Sequence, residues 1–325
     1  MSTYLVTGAA GFIASSVITA LLEAGHIVVG IDNMNDAYDV RMKEYRLKRL
    51  QAKDNFTFQH LDITKRETFS KPPVNRFKYD AVINLAARAG VRQSVENPWV
   101  YVDTNITGTL NLLEYCREVN IPKFVLASTS SVYGKDAPLP TPESYSSDLP
   151  LQAYAATKKS AEVLCHSYHY LYGLDVTVFR YFTVYGPAPR PDMVMFRFTQ
   201  WLSEERVLRV NGDGEQSRGF TFVDDIARGT IAGLQPLGYQ IINLGGHEVI
   251  KINQLIQLLE TLTGKKAQVE HRPAHPADMA TNWADVSKAG TLLGWEPKVG
   301  LSEGVARLVK WYNQERSWAS DILTP

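Results

Sequence analysis

A doubly wound parallel α/β sheet is the fold class this sequence predicts, and three features predict it. A strand-like segment at residues 4–7 runs into the loop Gly8-Ala9-Ala10-Gly11-Phe12-Ile13-Ala14 and then into a helical pattern. Strand and helix patterns go on alternating to residue 180, the habit of chains that build parallel βαβ units. Residues 80–87 form an apolar run, the kind of strand that is covered on both faces.

The elements follow in order. After the loop, Ile13, Val17, Ala20, Leu21 and Ala24 recur at helical spacing, and Gly25 supplies a stop. Glycines at the turn let backbone N–H groups approach a pyrophosphate, which then sits at the positive end of the helix. The next strand, residues 27–31, ends in Asp32, where a carboxylate accepts from the ribose 2′-hydroxyl of NAD and repels the 2′-phosphate of NADP. Strand, loop, helix, strand and acid in that order predict an NAD site of Gly8, Gly11, Phe12, Ile13 and Asp32, with Ala14 in the last small-residue position. The basic run Arg41, Lys43, Arg46, Lys48 and Arg49 reads as a solvated helix face. Residues 56–62 alternate as a third strand that brings Asp62 and Ile63 towards an adenine, and residues 80–87 are the fourth, with Ala86 at its carboxyl end. Open α/β sheets bind ligands beyond those ends, so Arg92 is a candidate anion contact.

A helix over residues 105–119 and a fifth strand over 124–127 lead to Ser128-Thr129-Ser130-Ser131. Pro138, Pro140, Pro142 and Pro150 mark the following segment as a loop, the edge of a surface lid. Residues 153–172 contain neither proline nor glycine and predict a long helix, on which Tyr154 and Lys158 share a face. A nearby ammonium favours the phenolate and lowers a tyrosine pKa from its usual value of about 10. Tyr154 can then exchange a proton with a sugar hydroxyl while Thr129 hydrogen-bonds the same oxygen. Residues 175–180 make a sixth strand, after which the alternation breaks down among Pro187, Pro189 and Pro191. The expected division is an NAD-binding domain of residues 1–180 plus about 223–250 and a smaller mixed α/β substrate lobe of 181–222 plus about 251–325.

Composition excludes several alternatives. Thirty-four basic and 34 acidic residues cancel, which leaves no basic excess for nucleic acid or a charged membrane. No stretch of about 20 apolar residues is present, and the chain runs from Met1 into a strand, so a cytoplasmic location is expected. Cys116 and Cys165 lie in apolar helical patterns and read as buried thiols. No metal-ligand spacing joins them to the seven histidines, so no metal is expected.

With these residues in place, the chain resembles the extended short-chain dehydrogenase/reductase family, and within it the nucleotide-sugar 4-epimerases. Later segments carry the same likeness: Arg180-Tyr181-Phe182-Thr183-Val184-Tyr185-Gly186-Pro187, Phe220-Thr221-Phe222-Val223-Asp224-Asp225 and Leu292-Leu293-Gly294-Trp295. Asn35-Asp36-Ala37-Tyr38-Asp39, Ala89-Gly90-Val91-Arg92 and Arg190-Pro191-Asp192-Met193 look most like the UDP-glucuronate 4-epimerase group. The resemblance implies a Rossmann domain with tightly bound NAD, and an isomerase that inverts C4 of UDP-glucuronate through a 4-keto sugar to give UDP-galacturonate. It implies that Tyr154, Lys158 and Thr129 are catalytic, that Ala86 and Tyr181 join the cofactor site, that Arg218 meets the UDP phosphates and that Asp278 meets the uridine ribose. A homodimer through a four-helix bundle is implied as well. Ser130 and Ser131 stand where dehydratases of the family carry Asp-Glu and decarboxylases a Glu, so these serines, Thr183 and Arg190 are the expected grip on the sugar carboxylate. The alternatives are a UDP-glucose/UDP-galactose 4-epimerase, a UDP-glucuronate decarboxylase and a non-catalytic NAD-binding subunit. Three departures from the family pattern stand out: Gly219 after Arg218, Arg88 in place of Gln, and Ala277 before Asp278.

Overall fold

The structure, a computed structural model, describes residues 1–246, 248–273 and 281–324. Its central sheet has seven parallel strands in the order Tyr239–Leu244, Asp175–Tyr181, Lys123–Thr129, Ala81–Asn84, Thr3–Thr7, Ile27–Asp32, Phe56–His60. Side chains of consecutive strand residues point to opposite faces. Accordingly Val6, Ile83 and Val125 enter the apolar cluster on one face, while Leu5, Val82 and Phe124 enter the cluster on the other. Covering both faces explains why all seven residues of Lys123–Thr129 are buried.

The strand order reverses direction at Thr3–Thr7, whose neighbours are Ile27–Asp32 and Ala81–Asn84. Thr7 is in register with Ile31 and Asn84, and Thr129 with Tyr181, so the carboxyl ends line one edge of the sheet. That edge, at the reversal, is the crevice where such sheets bind ligands.

Two sequence expectations change. The helix expected over 105–119 begins earlier, at Trp99–Tyr101, passes through a π-helical turn at Val102–Thr107 and continues as Gly108–Glu118. The wider turn carries Asn105, which is wholly buried and hydrogen-bonded on the inside. The helix Arg41–Gln51 forms, but Lys43 and Arg46 are buried with Met42, Leu47 and Leu50 rather than solvated. A second sheet begins where Glu248–Lys251 pairs antiparallel with Ser217–Phe222.

That second sheet also takes Thr183–Tyr185 and Thr281–Asn282 beside Ser217–Phe222, and a separate parallel pair joins Leu208–Asn211 to Val269–Arg272. Helices Val194–Ser203, Ile252–Thr263 and Leu301–Ala319 pack on one another around this part. Cys116 and Cys165 are free and buried, as expected, and burial pushes both thiols up. Among the described residues no helix is long and apolar enough to cross a membrane, and no side-chain group is suited to hold a metal ion.

Candidate active site

The glycine loop is a backbone cradle. Gly8 has φ +70°, and a Cβ there would lie 2.8 Å from the Ala86 backbone. A Cβ on Gly11 would meet the Gly8 carbonyl at 2.7 Å. Both positions thus need glycine for the turn to close, its Ala9, Ala10 and Gly11 N–H groups bond within the protein, and the start of helix Phe12–Glu23 carries no side-chain cap, which fits the diphosphate of a dinucleotide at that helix end. Phe12 is buried at that helix start, with Ile13 partly buried beside it. Asp32 is fixed by the N–H groups of Ala10 (3.1 Å) and Met34 (2.8 Å), with Lys43 Nζ 3.5 Å away. Burial raises the Asp62 carboxyl, but hydrogen bonds from Thr64 and Asn33 prevail and hold it below the usual range. Ile63 packs against Gly108, and the Ala86 N–H donates to Thr7 Oγ1 at 3.2 Å.

A buried polar chain joins this cradle to the tyrosine helix Ala153–Tyr172. Thr7 Oγ1 donates to Asn84 (2.7 Å), Asn84 to Thr109 (3.1 Å), and Thr109 to the Asn105 carbonyl (2.7 Å). The Asn105 amide donates to Thr157 Oγ1 (3.1 Å) and to the Arg88 carbonyl (3.0 Å), and its oxygen accepts from the Arg88 N–H (2.9 Å). The loop of Arg88 and Arg92 is thereby fixed to the helix that carries Tyr154.

Tyr154 is partly buried, edge-on to the Tyr101 ring at 6.2 Å. Burial pushes its phenol up, while a hydrogen bond with Thr129 and the charge of Arg190 pull it back. Arg190 thus supplies a charge that favours the phenolate, a role that helix spacing assigned to Lys158 alone. Lys158 is 2% exposed, and burial draws its ammonium down to about 8 against the opposing charge of Glu162. Thr129 Oγ1 accepts from the Ser131 N–H and lies 3.2 Å from Ser131 Oγ, so the hydroxyl run is one connected unit.

Ser130 is buried and accepts from Asn282 Nδ2 at 3.0 Å, and Asn282 is in register with Arg218. Thr183 opens a strand two residues beyond Tyr181, the register partner of Thr129. The Tyr181 hydroxyl is engaged with Thr230 at 2.7 Å. Arg190 is ion-paired with Asp192 (Nε to Oδ1, 3.0 Å). Arg92 donates to the Asn211 side-chain oxygen from both terminal nitrogens, at 3.2 and 2.6 Å, once that amide is oriented towards it. Arg218 Nη1 donates to the Ser217 carbonyl at 2.7 Å. Gly219 has a local cause: a Cβ there would meet the Gly246 carbonyl oxygen at 2.5 Å. Asp278 and Ala277 lie outside the described residues.

Behind the site, Glu162 and Arg180 are 1% and 2% exposed and pair through two hydrogen bonds of 3.0 and 2.7 Å. Ser128 donates to the same carboxylate, and Ser147 accepts from the same guanidinium at 3.0 Å. The pair ties the tyrosine helix to two strands' ends and to the loop before the helix. Glu162→Gln leaves a buried guanidinium without its counter-charge and is expected to cost about 3–5 kcal/mol, read as a lower urea midpoint. Sequence reading missed this pair, together with Asn105, Asn282 and Arg46. Only Arg46 had a legible signal, its helical spacing from Met42 and Leu50.

Residues 4–245 match the NAD dependent epimerase/dehydratase family. The chain belongs to this family. It is 56% identical to a UDP-glucuronate 4-epimerase of Thermodesulfobacterium geofontis (strain OPF15), over 96% of each chain. The structure of UDP-glucuronic acid 4-epimerase from Bacillus cereus, in complex with UDP-glucuronic acid and NAD, is 38% identical with a TM-score of 0.89, covering 96% of this chain and 99% of that one. A UDP-glucose 4-epimerase from Thermotoga maritima with UDP-glucose has the same TM-score at 32% identity, covering 97% and 99%. The fold is thus shared by relatives crystallised with different UDP-sugars.

Proposed function

We propose that this family member is an NAD-dependent isomerase that interconverts UDP-glucuronate and UDP-galacturonate by inverting C4. The observation that carries the reading is the meeting of Thr129, Tyr154 and Arg190 beside the glycine-loop crevice. NAD, when bound, would supply the chemistry of a reversible hydride acceptor. Gly8, Gly11, Phe12 and Ile13 would hold its diphosphate, Asp32 its adenosine ribose, Asp62 and Ile63 its adenine, and Ala86, Lys158 and Tyr181 its nicotinamide end. Tyr154 removes the C4 hydroxyl proton as the C4–H bond breaks, and Thr129 holds that oxygen. When the 4-keto sugar has turned its other face, Tyr154 gives the proton back, so no net redox change remains. Arg218 and Asp278 hold the nucleotide end throughout, as the substrate lobe's share of the work, and Arg92 of the NAD-binding domain meets an anionic group of the substrate.

A 4-keto uronate is a β-keto acid. It loses carbon dioxide when its carboxylate stands perpendicular to the carbonyl plane, and a fixed carboxylate rotamer prevents this. Ser130, Ser131, Thr183 and Arg190 provide that grip, and neither serine can act as the acid or base that an elimination requires. Thr183→Val is expected to raise KM for UDP-glucuronate about tenfold, the worth of one hydrogen bond to a charged group, and to release a UDP-pentose detectable by NMR. An unchanged KM with no pentose would remove Thr183 from the grip.

The functional dimer pairs helices of two copies. Trp99 (76% exposed), Leu110 (36%), Val163 (54%) and Tyr170 (81%) place apolar surface on the two helical segments that a four-helix bundle would bury. The enzyme is assigned to the cytoplasm, where UDP-sugars and free thiols such as Cys116 and Cys165 are at home. The test of the reading is incubation of the purified protein with UDP-glucuronate, without added cofactor, followed by NMR of the anomeric protons. Growth of UDP-galacturonate supports it. Conversion of UDP-glucose instead would assign the neutral sugars, and a UDP-pentose as main product would make the chain a decarboxylase.

A further inference from the structure

Arg46 lies on helix Arg41–Gln51, which carries no group assigned to substrate, yet the residue is 3% exposed and all three of its guanidinium nitrogens donate hydrogen bonds. Its Nε donates to the Ala188 carbonyl at 2.9 Å and Nη2 to the Pro189 carbonyl at 2.8 Å. Nη1 donates to the Ala10 carbonyl at 3.0 Å and to the Tyr38 hydroxyl at 2.9 Å. One planar fork therefore ties three segments together: the glycine loop, the stretch after Asp32, and the loop that leads into Arg190.

The third segment is the one that needs a tie. Ala188 sits at φ +50°, a left-handed conformation that crowds its Cβ against the neighbouring carbonyl oxygen. Arg46 accounts for two hydrogen bonds at this residue and the next, and Arg190 follows directly. The Arg190 charge in turn reaches both Tyr154 and Tyr38. The same Ala10 whose carbonyl Arg46 holds donates its N–H to Asp32. One side chain thus bonds both the cofactor loop and the loop that leads into Arg190.

We infer that Arg46 is a positioning residue that couples the cofactor loop to the Arg190 loop and, through Arg190, sets the preference for an anionic sugar over a neutral one. This rests on the proposed contact between Arg190 and the sugar carboxylate. Lysine cannot replace Arg46, because an ammonium is a point charge and cannot span carbonyls that the guanidinium meets with three separate nitrogens.

The experiment uses the NAD-loaded enzyme and its Arg46→Lys, Arg190→Met and double variants, with Arg46→Gln read in the same way should the lysine variant not fold. Bound NAD, the thermal midpoint, KM and kcat for UDP-glucuronate, and the inhibition constant of UDP-glucose are measured for each. Arg46→Lys is expected to retain NAD, to raise KM for UDP-glucuronate about tenfold with a smaller change in kcat, and to leave UDP-glucose inhibition unchanged. The double variant is expected to be no weaker than Arg190→Met alone, because residues acting through one another do not add. Equal weakening towards UDP-glucose, or a loss that adds in full to that of Arg190→Met, would overturn the coupling. An Arg190→Met enzyme with unchanged KM for UDP-glucuronate would overturn the carboxylate contact itself.

Discussion

Tyr154→Phe is expected to lower epimerase turnover by about a thousandfold, the usual weight of a positioned acid–base group, while UDP-glucuronate and NAD remain bound. The substitution removes one oxygen and leaves the ring, so the edge-on contact with Tyr101 survives. Thr129 cannot take over the proton transfer, since an ordinary hydroxyl with no adjacent base is a far weaker acceptor. It still holds the substrate oxygen, which is why binding should change little. The phenol's environment adds a second expectation. Burial raises its pKa, and Arg190 is one of two groups that oppose this, so Arg190→Met should move the alkaline-side onset of activity to higher pH as well as weaken uronate binding. A turnover loss below tenfold in Tyr154→Phe would assign the proton transfer elsewhere.

Lys158→Met is expected to lower turnover by about a hundredfold or more and, at the same time, to stabilise the cofactor-free protein at neutral pH. The Lys158 ammonium titrates near 8 in the folded chain, against 10.5 for an unperturbed lysine. The folded state therefore binds fewer protons than the unfolded state between these values, and stability rises with pH across that window. The contribution is complete above the unfolded value and lost as the pH falls through 8, so at pH 7 the buried charge is a burden. Its removal should raise unfolding free energy by about 2–3 kcal/mol at neutral pH and by little near pH 10.5, as read from urea titrations at both. A destabilised variant at neutral pH would show that the contacts of Lys158 outweigh its desolvation.

The parts of this molecule that follow local rules were legible in the sequence. The glycine loop, Asp32 and the helix Ala153–Tyr172 announce themselves through backbone requirements and spacing within a few residues of one another. What was not legible depends on partners far apart in the chain. Glu162 and Arg180 look like ordinary surface charges until the tyrosine helix is laid across the strand Asp175–Tyr181. Asn282 reaches Ser130 only because its strand runs beside Ser217–Phe222. The π turn at Val102–Thr107 has no periodicity of its own, since one extra residue in a helix leaves the apolar pattern nearly intact. Arg46 is the instructive error: charge suggested solvent, while its position on the helix face shared with Met42, Leu47 and Leu50 already pointed inward. The departure at Gly219 became intelligible only from the approach of the Gly246 backbone.

The most direct test of the central claim is turnover of UDP-glucuronate deuterated at C4, in ordinary water with no cofactor added. Inversion through a 4-keto sugar with return of the same hydrogen predicts UDP-galacturonate that keeps its deuterium at C4, seen as the absence of the C4 proton signal. UDP-galacturonate carrying hydrogen from water at C4 would contradict the account.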